Sequence, residues 1–510
     1  MLDLGQFASA LFSDAYRRIL ARAPGVAEPK PLYTPTVRER IVRCVWFDQT
    51  LRADKLRTED GRKLRVLSPG WWNLEAGPDF RNAALRFASG PVVKGDVEVH
   101  IQASLWRTHG HHRDPAYNGV ILHVVLRNDL GSPTVQTAAG ADVPQLALEA
   151  YLTTPIPKLV ERIDPSEYPD ASQSSAGPCH ELLAQGVVTM EWLGEFLGHA
   201  GDRRIALKAQ ALAESGSDDE QLLYEAIAQG LGYKRNGAPA RELARRVTLA
   251  TIREKTRRRA HRLEAIEALL FGGAGLLPPR RIDACYDEAA WAHAERLRSV
   301  WGELGGELAD VALDPDQWTF EGTRPSNFPT RRIAALAVLL ARHLERGLTA
   351  AARQAIGTPA TLSPREARRR RADLLEVFLS LRHPFWDTRT HFHARPLARA
   401  TRLVGQDRAQ TIVINAVFPA LLYQARRGGD RALEELLHQL YVAWPKLPST
   451  RVTRQMAARL FGRPDSQVKL LRKARQQQGL YQLYTDFCDS DRTTCAQCPL
   501  LRLLKATARN

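Results

Sequence analysis

A short stretch of this chain has the residue types and spacing to hold a divalent metal. Asp79 lies in Gly77-Pro78-Asp79-Phe80, and Asp96, Glu98 and His100 lie in Gly95-Asp96-Val97-Glu98-Val99-His100-Ile101. The second segment alternates polar and apolar residues as a half-buried strand does. Residues two apart on a strand share a face, so Asp96, Glu98 and His100 are expected on one side and Val97, Val99 and Ile101 on the other. Carboxylate oxygens suit hard cations such as magnesium or manganese, and an ion so held activates water and neutralises charge on a phosphate being cleaved. Glu75, in the preceding segment, can add a further acid.

The stretch from Trp106 to Asn118 is dense in imidazole, with His109, His111 and His112 close to Asp114, and His123 follows in the next apolar run. Histidine is the commonest transition-metal ligand, so His109, His111, Asp114 and His123 form a second candidate set. Their spacing matches no standard zinc signature. For His123, flanked by Leu122 and Val124, a hydrogen-bonded core histidine is an equal reading.

A third candidate lies at the other end of the chain. Cys488, Cys495 and Cys498 make a C-x6-C-x2-C pattern followed by Pro499, in which the closing pair can chelate one ion from a tight turn while Cys488 reaches in from a preceding helix. A complete site needs a fourth ligand. Cys179, placed by Gly177 and Pro178 at a domain junction, is the first choice, with Cys285 or a histidine next. Six cysteines in 510 residues are no disulfide framework, and Cys44 reads as core.

The net charge of +16, from 72 lysines and arginines against 56 acids, fits a polyanionic partner such as nucleic acid. An arginine- and alanine-rich composition is also what a GC-rich genome produces. Basic residues concentrate at Lys255 to Arg262, expected to share one helix, at Arg365 with Arg368, Arg369, Arg370 and Arg371, and at Arg451 to Arg475. Such groups neutralise phosphates without reading sequence. A charge run is more often a solvated helix face.

These residues need elements to position them. At 510 residues the chain is too long for one ordinary core. Residues 1–160 read as an α/β domain with strands at Leu64–Leu67, Asn82–Phe87, Asp96–Ile101 and Val120–Leu126, and residues 161–180 read as a linker. Residues 181–485 repeat apolar positions at helical spacing, with Ser363-Pro364-Arg365-Glu366 as a capping box, and 486–510 form a cysteine-rich tail. The fold class expected is α+β, with a mixed α/β domain followed by a large, mostly helical one. No apolar run approaches the ~20 residues of a membrane helix, and the N-terminus lacks a signal-peptide pattern, so a cytoplasmic protein without a membrane partner is expected.

The runs WWNLEAGPDF, GDVEVHIQASLW and HGHHRDPAYNGVILHVV, with GPC at Cys179, RPSNFP, NAVFP and the terminal cysteines, resemble the bacterial domain of unknown function 2851 family over nearly the whole chain. That resemblance implies no activity by itself. A remoter one does: a proline-aspartate before one strand and an acid-x-basic element on the next is similar to the PD-(D/E)XK nuclease core, in which two acids bind magnesium and a lysine helps position the attacking water. It implies that Asp79 and Glu98 are the acids. His100 stands where the lysine would be, and Gln102 or a displaced basic residue would have to substitute. The cysteine spacing is similar to the iron-sulfur loops of some DNA glycosylases, which implies a 4Fe-4S cluster, with zinc as the other occupant. The expected function is a metal-dependent nuclease acting on DNA or RNA. The alternatives are a non-catalytic nucleic-acid-binding or scaffold protein and a His/carboxylate metallohydrolase of a small substrate.

Overall fold

The computed structural model of the protein describes residues 12, 15–21, 39–73, 77–156, 159, 163, 168, 178–213, 218–278, 287–320, 323–463, 465–488 and 498–508. The order of elements is α1 (Ala15–Ala21), α2 (Glu39–Asp48), β1 (Leu64–Ser68), β2 (Trp71–Trp72), β3 (Phe80–Phe87), β4 (Val92–Gln102), α3 (Leu105–Thr108), β5 (Val120–Arg127), β6 (Thr134–Gln136) and β7 (Asp142–Ala147). Helices follow from α4 (Pro178–Ala184) and α5 (Met190–Ala213) onward. The protein is therefore α+β, with a mixed sheet followed by a mostly helical part.

The sheet runs β1-β3-β4-β5-β7-β6, with β2 paired to β3. Strands β1, β3 and β4 pair antiparallel, and β5 and β7 then add in parallel to β4. Parallel neighbours need a crossover, and both faces of such a sheet are covered. On one face α2 packs Val42, Val45 and Trp46 against Val97, Val99, Leu122 and Val124. On the other, the β4–β5 crossover lays Trp106 and Tyr117 over Val120, Val135 and Val143. The alternation expected along β4 holds from Val97 to His100 but not at Asp96, and its polar face is roofed: Glu98 and His100 are 3% and 0% exposed.

The helical part has two apolar clusters. The larger contains α6 (Asp219–Leu231), α7 (Tyr233–Arg246), α8 (Leu249–Thr256), α9 (Arg262–Gly273), α10 (Glu288–Leu304), α11 (Pro329–His343), α12 (Leu348–Ile356), α13 (Pro364–Leu379), α14 (Gln406–Ile412), α15 (Phe418–Arg427) and α16 (Arg431–Ala443). The smaller joins α1, α4 and α5 to α17 (Arg451–Phe461), α18 (Ala474–Leu483) and α19 (Pro499–Ala508). Helix α1 thus belongs to the helical part's core, and Tyr16 Oη donates to Asp486 Oδ2 at 2.9 Å. The capping box expected at α13 is present, with Ser363 N–H donating to Glu366 Oε2 at 2.9 Å and Glu366 N–H to Ser363 Oγ at 3.3 Å. The basic run at Lys255 to Arg262 does not share one helix, because α8 ends at Thr256 and α9 begins at Arg262.

Candidate metal centre

The β3–β4 hairpin brings the two acids together. Asp79 immediately precedes β3, and the register sets Phe80 opposite Val97, beside Glu98. The Asp79 N–H donates to Glu98 Oε2 at 3.0 Å, and the Val99 N–H donates to Asp79 Oδ2 at 3.0 Å. Asp79 Oδ1 is 2.9 Å from a guanidinium nitrogen of Arg43, which α2 supplies and which also pairs with Glu39 at 2.6 Å. Asp96 leaves the group at a register shift between Asp96 and Val97, and accepts from Arg81 at 2.7 Å and from the Asn82 N–H at 3.2 Å. Gln102 is exposed at the end of β4, opposite Arg127, and Glu75 lies outside the described residues.

The crossover supplies the imidazoles. Ser104, ahead of α3, is fixed by Asp129, which accepts from its N–H at 3.0 Å and from its hydroxyl at 2.6 Å. Trp106 Nε1 donates to Gln136 O at 2.9 Å. After one turn the chain reverses at Gly110, whose φ of 81° is left-handed and favours glycine. The reversal lets His109 and His111 both face β4. His109 Nδ1 is 3.1 Å from His100 Nε2, and Glu98 Oε1 is 3.4 Å from His100 Nε2 and 3.2 Å from His111 Nε2. The ligand atoms of His100, His109 and His111 all lie within 4.8 Å of one another. Asp114 is not among them; its carboxylate accepts the Ala116 N–H at 2.9 Å and caps the turn Pro115–Tyr117.

His123 stands behind the cluster and orders it. Gln145 Nε2 donates to Ser132 O at 2.7 Å, so its Oε1, 2.8 Å from His123 Nδ1, is an acceptor. His123 therefore carries its proton on Nδ1 and accepts at Nε2 from His100 Nδ1, 2.8 Å away. The same reasoning leaves His100 Nε2 without a proton, accepting from His109 Nδ1 at 3.1 Å, a proton that an ion at this point would displace. This is how histidines that bind metal are held, the second nitrogen donating to an outer partner. Replacing Gln145 with methionine, which keeps bulk but removes the acceptor, should lower metal affinity by roughly 10–100-fold in a protein that still folds; unchanged affinity in a calorimetric titration would show that the tautomer is set otherwise.

Burial keeps the rings of the cluster uncharged. Burial pushes the Glu98 carboxyl up to about 7, against the pull of Arg43. Burial lowers His111 to about 4 and His123 to about 3, and burial together with His123 holds His100 well below its usual range. Neutral imidazoles and a carboxylate crowd lone pairs around one point, and His111 Nε2 is buried with no aligned hydrogen-bond partner despite its nearness to Glu98. The three depressed histidines contribute stability that is present above about pH 6.5 and lost as pH falls through their folded values. Glu98, raised, acts in the opposite sense between its ordinary value and about 7. Three groups outweigh one, so chelator-treated protein should melt at lower temperature at pH 5 than at pH 7; a flat or rising midpoint would mean that these rings are not held neutral.

A second group, Glu267, His293 and His383, also brings ligand atoms within 4.8 Å. Its protons argue against a metal. His383 Nδ1 accepts the backbone N–H groups of Phe385 and Trp386 at 3.2 and 3.3 Å. His383 Nε2 is thus protonated and donates to Glu267 Oε2 at 3.0 Å. His293 Nε2, at 3.0 Å, and Trp386 Nε1 complete the shell on Oε1. Burial would raise this carboxyl, but the hydrogen bonds from His293 and His383 outweigh it and bring it down to about 2. The group is a hydrogen-bonded hub joining α9, α10 and the segment after α13.

The cysteines and arginines fall as follows. Cys179, Cys488 and Cys498 all pack against the smaller helical cluster, while Cys495 and Cys285 lie outside the described residues. On α13, Arg368 and Arg369 are exposed, with Arg369 3.9 Å from Asp373. Arg370 turns inward to Ile356 O and Thr358 O at 2.8 and 2.7 Å, and Arg371 is half-buried. Sequence reasoning missed Arg43 and Gln145; a lone arginine on an amphipathic helix and a glutamine beside Pro144 carry no local signal for this role.

Fold and site define an α+β protein with a histidine-rich candidate metal centre on its mixed sheet. Residues 39–446 match the family model described as Protein of unknown function (DUF2851), and the chain belongs to that family. No curated protein and no solved structure matches it. Among the described residues, no helix is long and apolar enough to cross a membrane.

Proposed function

We propose that the sheet domain is a metal-dependent phosphodiester hydrolase acting on nucleic acid, with a transition-metal ion held by His100 Nε2, His109 Nδ1, His111 Nε2 and Glu98 Oε1. The observation that carries this reading is the convergence of three imidazoles, two of them within 3.4 Å of the buried Glu98 carboxylate. The hairpin arrangement of Asp79 and Glu98 supports it, being the one that the nuclease resemblance implies. The donor set moves the preferred ion from magnesium or manganese towards zinc, iron or nickel, because imidazole favours these, and because the Asp79 carboxylate already engages Arg43 and the Val99 amide.

When bound, such an ion activates water and stabilises charge on a phosphate. Glu98 would anchor the ion through Oε1, with Oε2 held in place by the Asp79 N–H. Asp79 is a positioning residue, fixing Glu98 through its amide. The positive charge of the chain favours a polyanionic substrate over a small neutral one. The test is metal analysis of protein purified without chelator, followed by cleavage assays on DNA and RNA with zinc, manganese, cobalt and magnesium in turn. Turnover with magnesium alone would return the site to Asp79 and Glu98. Turnover of small esters that bulk polynucleotide does not inhibit would make the protein a small-substrate metallohydrolase, and metal without turnover would leave a scaffold.

A second centre is proposed at Cys488, Cys495 and Cys498, with Cys179 as fourth ligand. It is supported by the packing of Cys179, Cys488 and Cys498 on one apolar cluster. Iron with sulfide in anaerobically purified protein would identify a 4Fe-4S cluster, and one further zinc a structural site.

A further inference from the structure

In much of the helical part, arginines are answered by acids: Arg259 by Glu303 at 2.7 Å, Arg262 by Glu345 at 2.7 Å and Arg427 by Asp219 at 2.6 Å. The segment from Arg389 to Gly405, between α13 and α14, is different. It carries Arg389, Arg395, Arg399 and Arg402, with His391 and His393, and contains no acid. Arg389 pairs with Asp287 at 2.6 Å. Arg395, Arg399 and Arg402 are exposed, and the described residues offer none of them an acid within ion-pair distance.

The charge beneath this segment is also met mostly by neutral groups, Asp387 acting on Arg331 only from beyond ion-pair distance. Arg331 and Arg332, at the start of α11, are 0% and 6% exposed. Arg331 donates to Thr401 O at 3.2 Å and Arg402 O at 3.0 Å, and Arg332 donates to Leu403 O and to Ser326 O at 2.9 Å. Both cations are thus met by neutral oxygens. Burying a guanidinium without a carboxylate is costly, and its field, poorly screened by the low-dielectric interior, emerges at the surface above. Alongside Arg332, the Arg408 guanidinium lies 3.0 Å from the centre of the Tyr233 ring, and Tyr233 has a left-handed φ of 57°. A bulky residue in that region is strained, and such strain gathers at sites of function.

We propose that the segment 391–405 is the docking surface for the sugar-phosphate backbone of a polynucleotide, with Arg395, Arg399 and Arg402 as phosphate contacts. Three cations spaced along an irregular segment match a repeating phosphate, and the exposed His393 ring, 3.8 Å from that of His391 between centroids, offers a planar surface to a base. Leu397 is its exposed large apolar side chain, too little for a lipid surface. The inference does not rest on the metal reading, because binding is measured without divalent ions.

The test uses the full chain and fluorescent single- and double-stranded 30-mers of unrelated sequence, by anisotropy at 50 and 200 mM salt. Arg395→Ser/Arg399→Ser/Arg402→Ser should weaken binding at least tenfold and flatten the salt dependence by up to roughly 0.9 per lost contact on duplex. A control of equal charge at exposed cations outside every basic run, Arg52→Ser/Lys55→Ser/Arg346→Ser, should change affinity less than threefold. Equal losses in the two triple variants would reduce the effect to overall charge and overturn the site. Absence of binding at 50 mM salt would overturn it too, as would binding of phosphatidylserine vesicles, but of neither polynucleotide, through the same three residues.

Discussion

On the proposed function, the double substitution His109→Ala/His111→Ala is expected to yield a folded protein that binds no transition metal and does not cleave. Both residues belong to the crossover over β4, and their rings reach the site from a segment held independently by Ser104–Asp129 and Trp106–Gln136. Their loss leaves the sheet's other face, with Val97, Val99 and Leu122, untouched. Loss of a single outer-sphere partner costs roughly 10–100-fold in affinity; removing two direct ligands should exceed about 100-fold and take hydrolysis to background. Metal content by mass spectrometry, a calorimetric titration of the stripped protein and a circular-dichroism spectrum decide it. A variant that keeps stoichiometric metal and wild-type cleavage would remove both the site and the function built on it.

Glu267→Ala should be the most destabilising of the changes considered, and should leave metal content unaltered. Three buried N–H groups, from His293, His383 and Trp386, converge on this carboxylate, which is 1% exposed. Deleting it orphans all three donors. Breaking a buried charged network in this way costs roughly 3–5 kcal/mol, a large share of the roughly 5–15 kcal/mol that holds a typical protein folded. Glu267→Gln, which keeps one acceptor oxygen, should cost less. Because the folded carboxyl is depressed to about 2, its contribution is present above its ordinary value and lost as pH falls towards 2. Denaturant unfolding measures both variants. A loss below about 1 kcal/mol for the alanine variant would mean that the hub is incidental, and a drop in bound metal would make it a ligand site after all.

Much of the architecture was legible where local pattern and tertiary demand agree. The strands at Leu64, Asn82, Asp96 and Val120 follow from alternation and turn residues, and the α13 cap from Ser363 and Glu366. Strand β7 is not legible in the sequence because Pro144 interrupts a short run that also carries Asp142 and Gln145, yet it is the third strand behind the site. The pairing of Asp79 with Glu98 was readable from a turn before one strand and an acid on the next. The clustering of His100 with His109 and His111 was only half readable, since it depends on the reversal at Gly110. Asp114 looks like a ligand by its neighbours and is consumed as a cap. The break between Thr256 and Arg262 has no glycine or proline to announce it, so the arginine-rich run reads as continuous helix.

The chain of hydrogen bonds from Gln145 through His123 to His100 crosses three neighbouring strands whose linked residues are 22 and 23 positions apart in the chain. A nascent polypeptide cannot aim the His100 lone pair until β7 has emerged and docked. The metal would then arrive at a finished sheet and act as a lock, unlike the ion of a small zinc domain, which organises the fold around itself. Its stabilisation would fall on the rate of unfolding and leave the rate of folding unchanged.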